Sequence, residues 1–110
     1  MGGAGKVIFD AAGFSVRGAG GVRVLWSSIR CIRAFKRDLL TSDEVLLSFE
    51  NDAEPEYIEV SEEEPGFEEF RLEIEKRFSF PAGWWEAVLK PAFARNESVL
   101  YARMDAQPGA

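Results

Sequence analysis

The apolar residues of this chain change their spacing once, just past residue 60, and that change restricts the fold to strands followed by helix. Up to Val60 they alternate with polar residues or run in short stretches broken by glycine or by acidic and polar turn residues. Phe67, Phe70, Ile74 and Phe78 then recur at steps of three and four, which places them on one stripe of a helix. Pro65 suits the first helical position, where a missing N–H costs nothing. Glu68 and Glu69 complement the positive first turn, Lys76 and Arg77 the negative last turn, and Pro81 stops the continuation. The sequence thus predicts a helix over Pro65–Phe78.

The segment before it reads as an antiparallel meander. Lys6–Asp10 is a first strand, turned by Ala11-Ala12-Gly13 into Phe14–Arg17, and Gly18–Gly21 turns that into Val22–Trp26. Ser27 and Ser28 interrupt the run, and Ile29–Lys36 continues extended, with Ile32 and Ala34 on one face and Arg33 on the other. Asp38–Glu44 reads as a connection, Val45–Glu50 as a strand with Val45, Leu47 and Phe49 on one face, and Tyr57–Val60 as a strand with Ile58 and Val60 inward. After the main helix, Gly83–Lys90 predicts a short second helix ended by Pro91, and Ser98–Arg103 is one more strand or an extended tail on the sheet. The expected class is α+β: an antiparallel β-sheet of five to seven strands closed by a C-terminal helix, with a short extra helix. Residues 6–103 form a single domain, and 1–5 and 104–110 are flexible tails.

With 110 residues, 46% of them hydrophobic and nine of them Phe, the chain is long enough to bury one core without staples. It carries 19 acidic and 13 basic residues, a net charge of −6 that argues against a nucleic-acid partner. The charge is segregated along the chain. Arg17, Arg23, Arg30, Arg33, Lys36 and Arg37 fall in a stretch with no acidic residue, whereas Glu50 to Glu75 holds twelve acidic residues and only Arg71 of the opposite sign. Arg33, Lys36 and Arg37 are therefore candidates for a charged rim or an anion-binding strand edge, and Glu62, Glu63 and Glu64 for an acidic docking surface.

Several chemistries are absent from the residue inventory. There is no histidine, which removes Ser-His-Asp and Cys-His catalysis, and the lone Cys31 allows neither an internal disulfide nor a zinc site. Gly5-Lys6 is followed by Val7 where a phosphate loop needs Ser or Thr, and Arg23 stands where a dinucleotide fingerprint needs its third glycine. Paired carboxylates are plentiful, and Asp43 with Glu44 or the Glu62–Glu64 run are candidates for acid–base work, but a domain of this size seldom offers the deep cleft such chemistry uses. No cofactor is expected. No segment is apolar enough to span a membrane, and the N-terminus carries no signal pattern, so the expected setting is the cytoplasm. The aromatic residues Phe78, Phe80, Trp84, Trp85 and Phe93 cluster in the sequence as a seam between helix and sheet, with Trp26 and Phe49 opposite. Adjacent Trp84 and Trp85 cannot face the same way on one helix, and the outward member is a candidate partner anchor.

Val7-Ile8-Phe9-Asp10 with Gly13-Phe14-Ser15-Val16, then Val24-Leu25-Trp26-Ser27-Ser28-Ile29 and Ile32, and the order of strands before a closing helix, resemble bacterial pleckstrin-homology-like domains over residues 6–78. The segment after it, with Trp84-Trp85-Glu86, Pro91-Ala92-Phe93-Ala94 and Leu100-Tyr101, is similar to small bacterial proteins of which some look like immunity proteins of toxin systems. The resemblance implies a partly open barrel and a binding scaffold rather than an enzyme. The expected function is a non-catalytic protein-interaction module of the bacterial cytoplasm whose partner is another protein. The alternatives are an immunity protein that blocks a basic toxin site with its acidic surface, and a carboxylate-based hydrolase.

Overall fold

A computed structural model describes residues 6–17, 21–38, 43–89 and 98–103, without the side chains of Arg17, Asp38 and Asp43. The expected tails, the Gly18–Gly20 turn, Pro91 and Phe93 lie outside the described residues. Among the described residues seven strands and two α-helices follow in the order β1 (Lys6–Phe9), β2 (Gly13–Arg17), β3 (Val22–Leu25), β4 (Ile29–Asp38), β5 (Asp43–Asn51), β6 (Tyr57–Ser61), α1 (Phe67–Phe78), α2 (Trp84–Leu89) and β7 (Ser98–Ala102). The α+β class is as the sequence predicts.

The strands form two antiparallel sheets, not one. The first has the order β1-β2-β3 and the second β6-β5-β4-β7. The meander is cut at Trp26-Ser27-Ser28, which forms a 3₁₀ turn between β3 and β4. Trp26 is held there by two bonds to the β1–β2 turn: its backbone N–H donates to the Ala12 carbonyl at 3.0 Å and its indole Nε1–H to the Asp10 carbonyl at 3.0 Å. Two serines that read as an interruption are thus a corner at which the chain leaves one sheet for the other. A second correction concerns the main helix, which does not end the fold, because α2 and β7 follow it and β7 pairs with β4.

The core lies between the sheets and α1. Phe14 of the first sheet and Phe49 of the second each meet Phe70 of α1, with ring centroids 4.7 and 5.8 Å apart. Val7, Val16, Val24, Ile32, Ala34, Val45, Leu47, Val60 and Ile74 join it, on the alternation and the helical stripe that the sequence shows. Helix α1 begins two residues later than Pro65. Gly66 is its N-cap, with φ of 87°, and a Cβ there would sit 2.5 Å from the Val7 carbonyl oxygen. Pro65 instead accepts a hydrogen bond from the Val7 N–H at 3.0 Å, which ties the β1 edge to the helix start.

Candidate functional site

The residues singled out from the sequence separate into two groups in space. On β4 the basic residues do not form a strand edge, because β4 lies between β5 and β7. The acidic stretch folds back beside them, and segregation along the chain becomes pairing across the sheet. Arg33 pairs with Glu50, Arg30 lies 3.6 Å from Asp52, and Arg37 reaches Glu44 and Glu59 at 3.7 and 3.5 Å. Asp52 also takes Arg103 from the end of the chain at 2.7 Å.

Lys36 points the other way from Arg33 and Arg37. It opposes Val45 in the register, faces the core side of the second sheet and is 0% exposed. Its ammonium donates to the carbonyl of Leu89, the last residue of α2, at 2.7 Å. A cation at a helix C-terminus meets unpaired carbonyls and the negative end of the helix dipole. Lys36 therefore anchors α2 on the sheet from within.

The Glu62–Glu64 run does not act as one patch. Glu62 accepts the Val45 N–H at 2.9 Å, and burial, reinforced by Glu63 and Glu44, pushes its carboxyl above the ordinary range. Glu63 is exposed, and Glu64 is half-buried with Oε1 covered and without a hydrogen-bond partner. Glu44 is engaged by the Ser61 hydroxyl and by Arg37. Among the described residues no three Cys, Asp or Glu side chains converge as metal ligands would. Cys31 is buried, and burial raises its thiol above the ordinary value, away from the thiolate a nucleophile needs.

The second group surrounds α2. Trp84 turns inward, 7% exposed, and its Nε1–H donates to Glu75 Oε2 of α1 at 2.8 Å. Trp85, turned about 100° around the helix from Trp84, is half-buried and rests 6.0 Å from Phe67. The Arg71 guanidinium of α1 lies 4.7 Å above the Trp85 ring and is itself paired with Glu68 and, at 3.0 Å, with Glu75. The Glu68 hydrogen bond raises the pKa of Arg71 further, so this cation is permanent. Phe80 meets Trp84 edge-on at 87°, and Trp84 meets Trp85 at 84°. These side chains, with Pro81, Ala82, Gly83 and Glu86, line a cleft of about 380 Å³.

That cleft was half legible in the sequence. The Trp pair and the different directions of its two rings follow from adjacency on a helix. The contribution of Arg71 and Glu75 does not, since both sit on the polar side of the α1 pattern and show no signal apart from their spacing of four. The expected seam also divides: Phe78 meets Trp26 edge-on and Tyr101 at a tilt beside the core, whereas Phe80, Trp84 and Trp85 line the cleft.

A third surface lies along β1, where Lys6, Val7, Ile8, Phe9, Gly66 and Glu69 line a shallow groove of about 490 Å³. Ile8 and Phe9 are partly exposed there. Among the described residues no helix is long and apolar enough to cross a membrane. No family model matches the chain, and neither the curated proteins nor the solved structures contain a match to it.

Proposed function

We propose that this chain is a non-catalytic protein-interaction module of the bacterial cytoplasm, built on a pleckstrin-homology-like scaffold, that takes a segment of its partner in the α1–α2 cleft. The observation that carries this reading is Trp85. It is a large aromatic held half-exposed over a rigid helix face, with no hydrogen bond from its indole N–H among the described residues and a cleft beside it. A rigid aromatic with an apolar body and an unused polar tip is the usual anchor of an interface. The scaffold assignment is supported by six strands in two sheets packed with a helix that follows them.

A binding role rather than a catalytic one is supported by the carboxylates. Glu44, Glu50, Asp52 and Glu59 are each engaged by arginine, which leaves them occupied. The same pairing weakens the toxin-blocking alternative, which would rest mainly on the exposed Glu54, Glu56 and Glu63. Affinity capture from cells, comparing the wild type with Trp85→Ala and with Glu54→Gln/Glu56→Gln/Glu63→Gln, tests the reading. Loss of a specific partner with Trp85→Ala alone supports the cleft. Retention of every partner by Trp85→Ala sinks it.

A further inference from the structure

We infer that the α1–α2 cleft receives an arginine side chain, presented by the partner protein. This deepens the reading above and rests on it. The first argument is charge. Among the described residues the cleft and its rim hold three carboxylates, Glu68, Glu75 and Glu86, against one cation, Arg71. Arg71 is already shared by Glu68 and Glu75, and Glu86, exposed in the first turn of α2, has no ion-pair partner among the described residues. Glu75 takes both Trp84 and Arg71 on Oε2, and its Oε1 has no hydrogen-bond partner among the described residues. A cation entering here meets unused acceptors, and an anion meets uncompensated negative charge.

The second argument is shape. Phe80, Trp84 and Trp85 stand nearly perpendicular in sequence, which presents ring edges and faces in more than one direction. A flat guanidinium can stack on a ring while its in-plane donors reach carboxylates, and it gives up its hydration more readily than an ammonium. The molecule supplies its own precedent, because Arg71 is held in this manner: a ring beneath it at 4.7 Å and two carboxylates at its edge. The volume of about 380 Å³ lies near the small end of ligand sites, roughly 300–1,000 Å³, which suits one long side chain rather than a cofactor.

The test uses the whole chain, labelled with ¹⁵N, and follows the indole N–H signals of its three tryptophans while N-acetyl-arginine-methylamide is added. The expected result is saturable shifts of the Trp84 and Trp85 signals with a dissociation constant on the order of millimolar, and none at Trp26. The capped lysine at equal concentration and ionic strength should bind about tenfold more weakly, the loss of stacking and of a forked hydrogen bond. The capped glutamate should leave the signals unmoved. Glu86→Gln, at an exposed site, should weaken the capped arginine roughly fivefold. The inference is overturned if capped lysine binds as well as capped arginine, if the glutamate compound binds instead, or if no compound shifts the indoles. In each of those cases the interaction-module reading still stands so long as Trp85→Ala abolishes partner capture. Capture indifferent to Trp85→Ala removes both.

Discussion

Arg77 and Arg71 of α1 each stack on a tryptophan at 4.7 Å from the ring centroid, yet Trp26 is sealed in the core and Trp85 lines an open cleft. The difference lies in what surrounds each ring. Trp26 stands at the corner between the sheets, where Phe14 of β2 and Phe70 and Phe78 of α1 reach it and the Asp10 carbonyl takes its indole N–H. Trp85 has Phe67 and Trp84 as ring neighbours, and neither belongs to a strand. One ring serves the fold. The other is left available by it.

The comparison predicts unequal consequences for equal substitutions. Trp26→Ala removes a ring packed on both sides and should destabilise the protein by about 3–5 kcal/mol, read by urea unfolding. If Trp85→Ala cost as much, the distinction between the two sites would fail. Next in size is Lys36→Met, which keeps the stem but leaves the Leu89 carbonyl without its donor. It should cost about 1–3 kcal/mol and raise amide exchange in α2 ahead of the rest of the sheet. Uniform exchange across the domain would show that Lys36 does not hold the cleft wall in place. Trp85→Ala itself should cost only about 1 kcal/mol while abolishing partner capture, and that split between stability and binding is its signature.

The smallest effect concerns Glu62. Its folded-state pKa lies above the ordinary glutamate value of 4.5 because its carboxyl is buried. Such a group favours the folded state below the ordinary value, and that contribution is lost as pH rises through the folded-state value. Glu62→Gln, which can still accept the Val45 N–H, should therefore raise the melting temperature at neutral pH. The difference should vanish below pH about 4, where the carboxyl is neutral in both states. A stabilisation that persisted in acid would mean that burial of the charge is not its cause.

Much of the fold can be read locally. The stripe Phe67, Phe70, Ile74 and Phe78 marked α1, and Val45, Leu47 and Phe49 marked the inner face of β5, because side-chain direction repeats every 3.6 or every 2 residues whatever the surroundings. The Pro65 signal misplaced the helix start, since the tertiary need was for a glycine next to the Val7 carbonyl. The charge pattern misled in a more instructive way. A basic stretch followed by an acidic one looks like two surfaces of opposite sign, but antiparallel pairing lays β5 against β4, and Arg33 meets Glu50 across a gap of sixteen intervening positions. Lys36 could not be told from Arg37 by type, and a single step of strand alternation decides that one faces the core and the other the solvent.

By itself, then, the sequence determined the strands, the helices, the residues of the core and the absence of histidine chemistry, all of which depend on local periodicity or on inventory. It also required that Trp84 and Trp85 point apart. Only the tertiary structure decided that the meander breaks at Trp26 into two sheets, that arginines of the basic stretch pair with carboxylates of the acidic one, and that Arg71 and Glu75 join the Trp pair around a cleft. Those outcomes depend on which segments meet. That is set by the summed burial of both sheets against α1, a property that no window of the sequence contains.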